Sequence, residues 1–126
     1  MTRYQQFQEF RTRLNQKILG GDGHEGRGTI VTKRFFALDD QCYRDTSADG
    51  GLNKQTKELL GLAASAVLRC DDCIAYHIDQ CVQQGCTDKQ IMETLDVGLI
   101  VGGSIVIPHL RRAVEFLEEC RAQAGK

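Results

Sequence analysis

The stretch Lys57-Glu58-Leu59-Leu60-Gly61-Leu62-Ala63-Ala64-Ser65-Ala66-Val67, followed after Leu68-Arg69 by Cys70-Asp71-Asp72-Cys73-Ile74-Ala75-Tyr76-His77, decides the fold class. Leu59, Leu62, Ala63, Ala66, Val67 and Cys70 recur at spacings of three and four, the period of an amphipathic helix. Asn53 stands before them where an N-cap is needed. A further helix over residues 73–84 stops at Gly85, a glycine suited to the position just past a helix end. Thr87-Asp88-Lys89-Gln90 has the form of a capping box and opens another helix through Ile91, Leu95 and Leu99, which Gly102-Gly103 breaks or kinks. The closing helix covers about residues 104–121, with Ile105, Ile107, Leu110, Val114 and Leu117 as its apolar side and Pro108 in or near its first turns.

Upstream, Tyr4, Phe7, Phe10, Leu14 and Ile18 predict an amphipathic helix that stops at Gly20-Gly21. Ile30, Val31, Phe35, Leu38 and Cys42 predict a second, ending at the Asp49-Gly50-Gly51 turn, although its β-branched start is also compatible with extended chain. The glycine-dense residues 20–28 lack the Gly-Lys-Ser/Thr ending of a phosphate loop and sit in no βαβ unit, which argues against a nucleotide site. His24 within that loop carries no assigned role. The pattern as a whole predicts an all-α bundle of about six helices forming a single domain over residues 1–126.

Composition narrows the function. A chain of 126 residues, 41% hydrophobic and 26% charged with a net charge of −1, fits one ordinary globular core and has no basic excess to displace counterions from nucleic acid. The apolar residues 97–107 are too few to span a bilayer, which needs about 20. Met1-Thr2-Arg3-Tyr4-Gln5-Gln6 has no apolar core of a secretory signal, so the expected location is cytoplasmic. Six cysteines without such a signal point to redox chemistry or metal rather than to a secreted disulfide framework.

The chemistry-bearing residues are Cys70, Cys73 and His77. Cys73 and His77 lie roughly 40° apart on a helical wheel and Cys70 and His77 roughly 20° apart, so one stripe holds all three if the helix includes Cys70. Should Cys70 instead open the helix, unpaired backbone N–H groups and the helix dipole would stabilise a thiolate there. Two sulfurs three residues apart can close a disulfide, one thiolate being oxidised to a sulfenic acid and the other condensing with it to release water. His77 would serve as base and acid in turn.

This run, with eleven residues between Glu58 and Cys70-x-x-Cys73-x-x-x-His77, closely resembles the carboxymuconolactone decarboxylase-like superfamily, specifically its alkyl hydroperoxidase D (AhpD-like) branch. The resemblance covers about residues 52–118. It implies an all-helical fold, a homotrimer or homohexamer, and reduction of hydroperoxides. It also implies the roles: Glu58 as proton-relay carboxylate, Cys73 as the peroxide-attacking cysteine, Cys70 as the resolving, reductant-facing cysteine, and His77 as the relay histidine that helps deprotonate Cys73. Where better-studied hydroperoxidases carry a histidine just before the second cysteine this chain has Asp72, a carboxylate that tends to raise a neighbouring thiol pKa. No metal, flavin or haem is required, and the reductant is expected to be a thioredoxin-like or lipoyl-bearing partner.

Other readings stand beside this one. Zinc held by Cys70, Cys73, His77 and a fourth ligand such as His109 is compatible with the residue types, whereas Cys81 lies roughly 16 Å along the same helix from Cys70 and cannot share an ion with it. General thiol–disulfide exchange, a purely structural helical module, and a lactone reaction with bystander cysteines are further alternatives. Glu58 alone would be read as a first-turn acid complementing the helix dipole. Asp71 and Asp72 are expected to cap a helix beginning at Cys73, Tyr76 to pack, and Cys42, Cys81, Cys86 and Cys120 to act as small buried or half-buried apolar residues.

Overall fold

The computed structural model describes residues 1–21, 23 and 25–125, so His24 lies outside the described residues. The α-helices are α1 (Arg3–Leu19), α2 (Ile30–Cys42), α3 (Lys54–Leu68), α4 (Asp71–Gln83), α5 (Asp88–Gly102) and α6 (Ile107–Ala124), with short 3₁₀ turns at Ser47–Asp49 and Ser104–Val106. No strand occurs among the described residues, and the all-α expectation holds. None of these helices is long and apolar enough to cross a membrane.

The chain falls into two compact units, Met1–Arg44 and Asp45–Lys126. In the first, Thr2 and Gln5 close a reciprocal capping box at the start of α1. Beyond α1 the glycine loop turns back on it, and the Arg27 and Gly28 amides donate to the Lys17 and Ile18 carbonyls, satisfying acceptors that the helix end leaves open. Thr29 caps α2, so the β-branched Ile30-Val31 start is helical. Neither helix buries a residue fully, and Ile30, Val31, Phe35 and Leu38 are exposed. Cys42, expected to be at least half-buried, is exposed as well.

The second unit contains the core. Asn53 caps α3 through the Thr56 amide, and α3 ends where Arg69 adopts the left-handed conformation at φ 59°, ψ 40°. That single residue reverses the chain, so α3 and α4 pack on one another across a two-residue corner, Arg69-Cys70. α3 also packs on α5, and α4 on α6. At the α3–α5 crossing Gly98 lets the helices close up, since a Cβ there would stand 2.9 Å from that of Ala66. Leu62, Ala66, Ile74, Ile78, Ile91, Leu95, Phe116 and Leu117 fill the interior.

Three details differ from the sequence reading: α2 ends at Cys42 rather than at the Asp49-Gly50-Gly51 turn, which instead follows the separate 3₁₀ turn Ser47–Asp49, and the other two concern α4 and α6. α4 begins at Asp71 rather than Cys73, because Cys70 itself is the N-cap and accepts the Cys73 amide; Asp71 and Asp72 occupy the first turn and do not cap it. In α6 the buried face is Ala113, Phe116, Leu117 and Cys120, whereas Ile105 and Ile107 are exposed. Gly103 starts a separate 3₁₀ turn that carries Ile105, so the period of α6 is set only from Ile107 onward.

Candidate active site

Cys70 and Cys73 are joined as a disulfide at the corner between α3 and α4, with Cα atoms 5.2 Å apart. Cys70 is half-buried and Cys73 exposed. As N-cap, Cys70 has extended backbone, and its Sγ accepts the Cys73 N–H at 3.2 Å. Cys70 therefore opens the helix instead of sharing its stripe, and the stripe proper consists of Cys73 and His77, one turn apart on α4. Sulfur at this position lies against the unsatisfied amides and positive dipole end of α4, which favours negative charge.

His77 is buried against α3. Its seat is Gly61: a Cβ there would come within 2.5 Å of the imidazole Cε1 and 2.8 Å of both ring nitrogens, so only glycine leaves room for the ring. Ser65 donates to the Gly61 carbonyl at 2.7 Å. Tyr76 meets the imidazole edge to face, with ring centroids 5.2 Å apart, in keeping with the packing role expected of it.

The other side of the ring meets Glu58, which is fully buried on α3. His77 Nδ1 lies 2.9 Å from Glu58 Oε1, and Lys54 Nζ donates to Oε2 at 2.7 Å. Burial by itself would raise the Glu58 carboxyl; the hydrogen bonds to His77 and Lys54 and their charges more than offset it, holding the group below its ordinary 4.5. An ionised Glu58 can only accept, so Nδ1 carries a proton and donates it to the carboxylate, and a second proton on the ring would sit on Nε2. The line Lys54–Glu58–His77 thus fixes both ring orientation and tautomer one turn beyond Cys73.

All four predicted site residues lie on α3, α4 and the corner between them; the direct contacts are Glu58 with His77 and Cys70 with Cys73. Sequence reasoning missed Lys54, although its spacing of four before Glu58 was a usable signal. It also missed the seat at Gly61, whose only signal is a glycine inside a helix. His109 Nδ1 lies 2.8 Å from Asp71 Oδ1, and Arg112 approaches Asp71 Oδ2 at 3.4 Å. Both histidines a zinc reading would use thus direct Nδ1 to a carboxylate, and no group of three or more metal-ligating side chains is set to hold an ion among the described residues.

The all-α fold thus carries a Cys70–Cys73 disulfide at a helical corner and, one turn further along α4, a histidine oriented by a buried carboxylate. The chain belongs to the carboxymuconolactone decarboxylase family, whose pattern it matches over residues 31–116. It is similar to a family member from Thermotoga maritima, for which involvement in an antioxidative response has been suggested. Two crystal structures of that protein superpose with TM-scores of 0.83 and 0.85 at 55% and 56% identity, covering 95% and 97% of this chain and 93% and 98% of theirs. A Legionella pneumophila family member is 25% identical with a TM-score of 0.64, over 92% of this chain and 88% of its own. The protein 4 of the cox locus of Paracoccus denitrificans is 32% identical over 92 residues, 73% of this chain and 79% of its own.

Proposed function

We propose that the protein is an AhpD-like thiol peroxidase that reduces hydroperoxides through a Cys70/Cys73 dithiol–disulfide cycle. The observation that carries the reading is the disulfide at the start of α4 with His77 one turn on, its Nδ1 held by buried Glu58. The Thermotoga relative's suggested antioxidative role points the same way.

In the proposed cycle His77 takes the Cys73 proton, and the thiolate attacks the terminal oxygen of ROOH. The O–O bond breaks, Cys73 becomes a sulfenic acid, and ROH leaves with the proton relayed by His77 and Glu58. Cys70 then attacks the sulfenic sulfur, forming the disulfide and releasing water. An external dithiol, thioredoxin-like or lipoyl-bearing, restores both thiols by exchange and is itself oxidised to a disulfide. Exposure of Cys73 fits attack on a diffusing peroxide. A homotrimer or homohexamer completes the reading, supported by apolar side chains such as Leu68, Ile100 and Val101 that the second unit leaves exposed.

The test adds stoichiometric hydrogen peroxide or cumene hydroperoxide to reduced protein and maps the products by mass. Expected are a Cys70–Cys73 disulfide in the wild type, a trapped sulfenic acid on Cys73 in Cys70→Ser, and no fast reaction in Cys73→Ser. Sulfenic acid trapped instead on Cys70 in Cys73→Ser would reverse the two roles, an arrangement favoured by the amide that Cys70 Sγ accepts. Thiols left unmodified by peroxide but fast toward a model disulfide would replace the peroxidase with a general thiol–disulfide oxidoreductase. Stoichiometric zinc in protein purified without chelators would replace it with a metal module.

A further inference from the structure

Asp71 is the first residue of α4, bonded in sequence to Cys70 and two residues from Cys73, and nothing in the cycle above uses it. Its carboxylate is enclosed by two residues of α6: His109 Nδ1 at 2.8 Å from Oδ1 and Arg112 at 3.4 Å from Oδ2. His109 and Arg112 stand three apart on α6 and so share one face. The Asp71 side chain is two-thirds buried and that of His109 about four-fifths, so the cluster is sheltered more than a surface pair.

We propose that His109 and Arg112 are positioning residues for the dithiol, acting through Asp71: the hydrogen bond to His109 Nδ1 and the charge of Arg112 offset its carboxylate and keep a like charge from opposing the thiolate at the start of α4. The proposal rests on the dithiol reading of the site. A carboxylate beside a thiol disfavours the thiolate, and a cation within about 4 Å of that carboxylate cancels much of the field. The need is pronounced here because the first turn of α4 carries two acids, Asp71 and Asp72. Asp72 is exposed and screened by water, so Asp71, the sheltered one, requires compensation from protein. Arg69 ends α3 next to Cys70, and Lys54 and His77 direct their donors to Glu58.

A rival role is mechanical: the same contacts tie the start of α4 to α6. The two roles differ in what Asp71→Asn does. Under the electrostatic role, losing the carboxylate removes the need for its two partners, whereas under the mechanical role losing any member loosens the corner.

The experiment titrates the thiolate absorbance near 240 nm in reduced full-length protein, with peptide mapping of iodoacetamide alkylation at Cys70 and Cys73. In the pair His109→Gln/Arg112→Gln the titration midpoint of the reactive thiol is expected to rise by about one pH unit, and alkylation below that midpoint to slow by up to about tenfold. Adding Asp71→Asn to the pair should restore the midpoint to the wild-type value or below it, and Asp71→Asn alone should not raise it. A midpoint unmoved in the pair, or raised in Asp71→Asn as far as in the pair, overturns the proposal. Arg112→Gln alone, at a half-exposed side chain, repeats the test with a smaller shift of the same sign if the pair fails to fold. Neither readout needs peroxide, so a protein inert to peroxide would sink the peroxidase reading and still decide this one.

Discussion

Glu58 is a carboxylate with no access to solvent, and it remains charged because two donors meet it, Lys54 on one oxygen and His77 on the other. Its carboxyl is lower in the folded chain than in the unfolded one, so its contribution to stability is present above the ordinary 4.5 and is lost as pH falls through the depressed value. Glu58→Gln is therefore expected to destabilise by about 1–3 kcal/mol at neutral pH. The difference from wild type should shrink as pH falls below the ordinary 4.5, measured by urea unfolding across pH; a deficit that widens in acid would contradict this origin. Gly61→Ala places a methyl against the imidazole, with an expected cost of about 1–3 kcal/mol from overpacking. Because the displaced ring is the proposed base, peroxide reduction should fall on the order of tenfold or more, at unchanged reactivity of Cys42 as internal control.

At the scale of the element, α4 owes its start to an unusual cap. Cys70 takes the place usually held by serine, threonine, aspartate or asparagine, with sulfur accepting the amide of Cys73. Cys70→Ser supplies an oxygen for the same amide, so its melting temperature should match that of the reduced wild type to within about 1 kcal/mol of stability, making it a clean probe of chemistry. Cys70→Ala, which supplies no acceptor, should melt lower. Thr87 and Gln90 close the capping box of α5, and Thr87→Ala should cost about 1 kcal/mol by the same measure.

Across the whole molecule the six cysteines divide by environment. Cys81, Cys86 and Cys120 are buried, and burial pushes all three thiols up, that of Cys120 to about 12; Cys81 and Cys86 also lie close enough to interact. In the reduced protein at pH 8, iodoacetamide is expected to label Cys73, Cys70 and Cys42 and to spare the other three until the chain is unfolded. Rapid native labelling of Cys81 or Cys120 would mean that the second unit opens far more readily than its packing implies.

The helical class, the caps at Asn53 and Thr87 and the glycines that follow α1, α4 and α5 were legible in the sequence, and the set Glu58, Cys70, Cys73 and His77 was singled out there as a candidate. Each rests on spacing along one chain segment, and backbone periodicity is a local property. The limits of that legibility are equally physical. The start of α4 was misjudged by two residues because cysteine seldom caps, and the buried face of α6 was misjudged because Gly103 inserts a turn that resets its period. Only tertiary structure decided that Gly61 is the seat of His77, that Glu58 is buried and still ionised, and that Asp71 is held by His109 and Arg112 from 38 and 41 residues away. Those facts depend on which helix faces meet, and the pairing of faces follows from the packing of α3, α4 and α6, which no local pattern encodes.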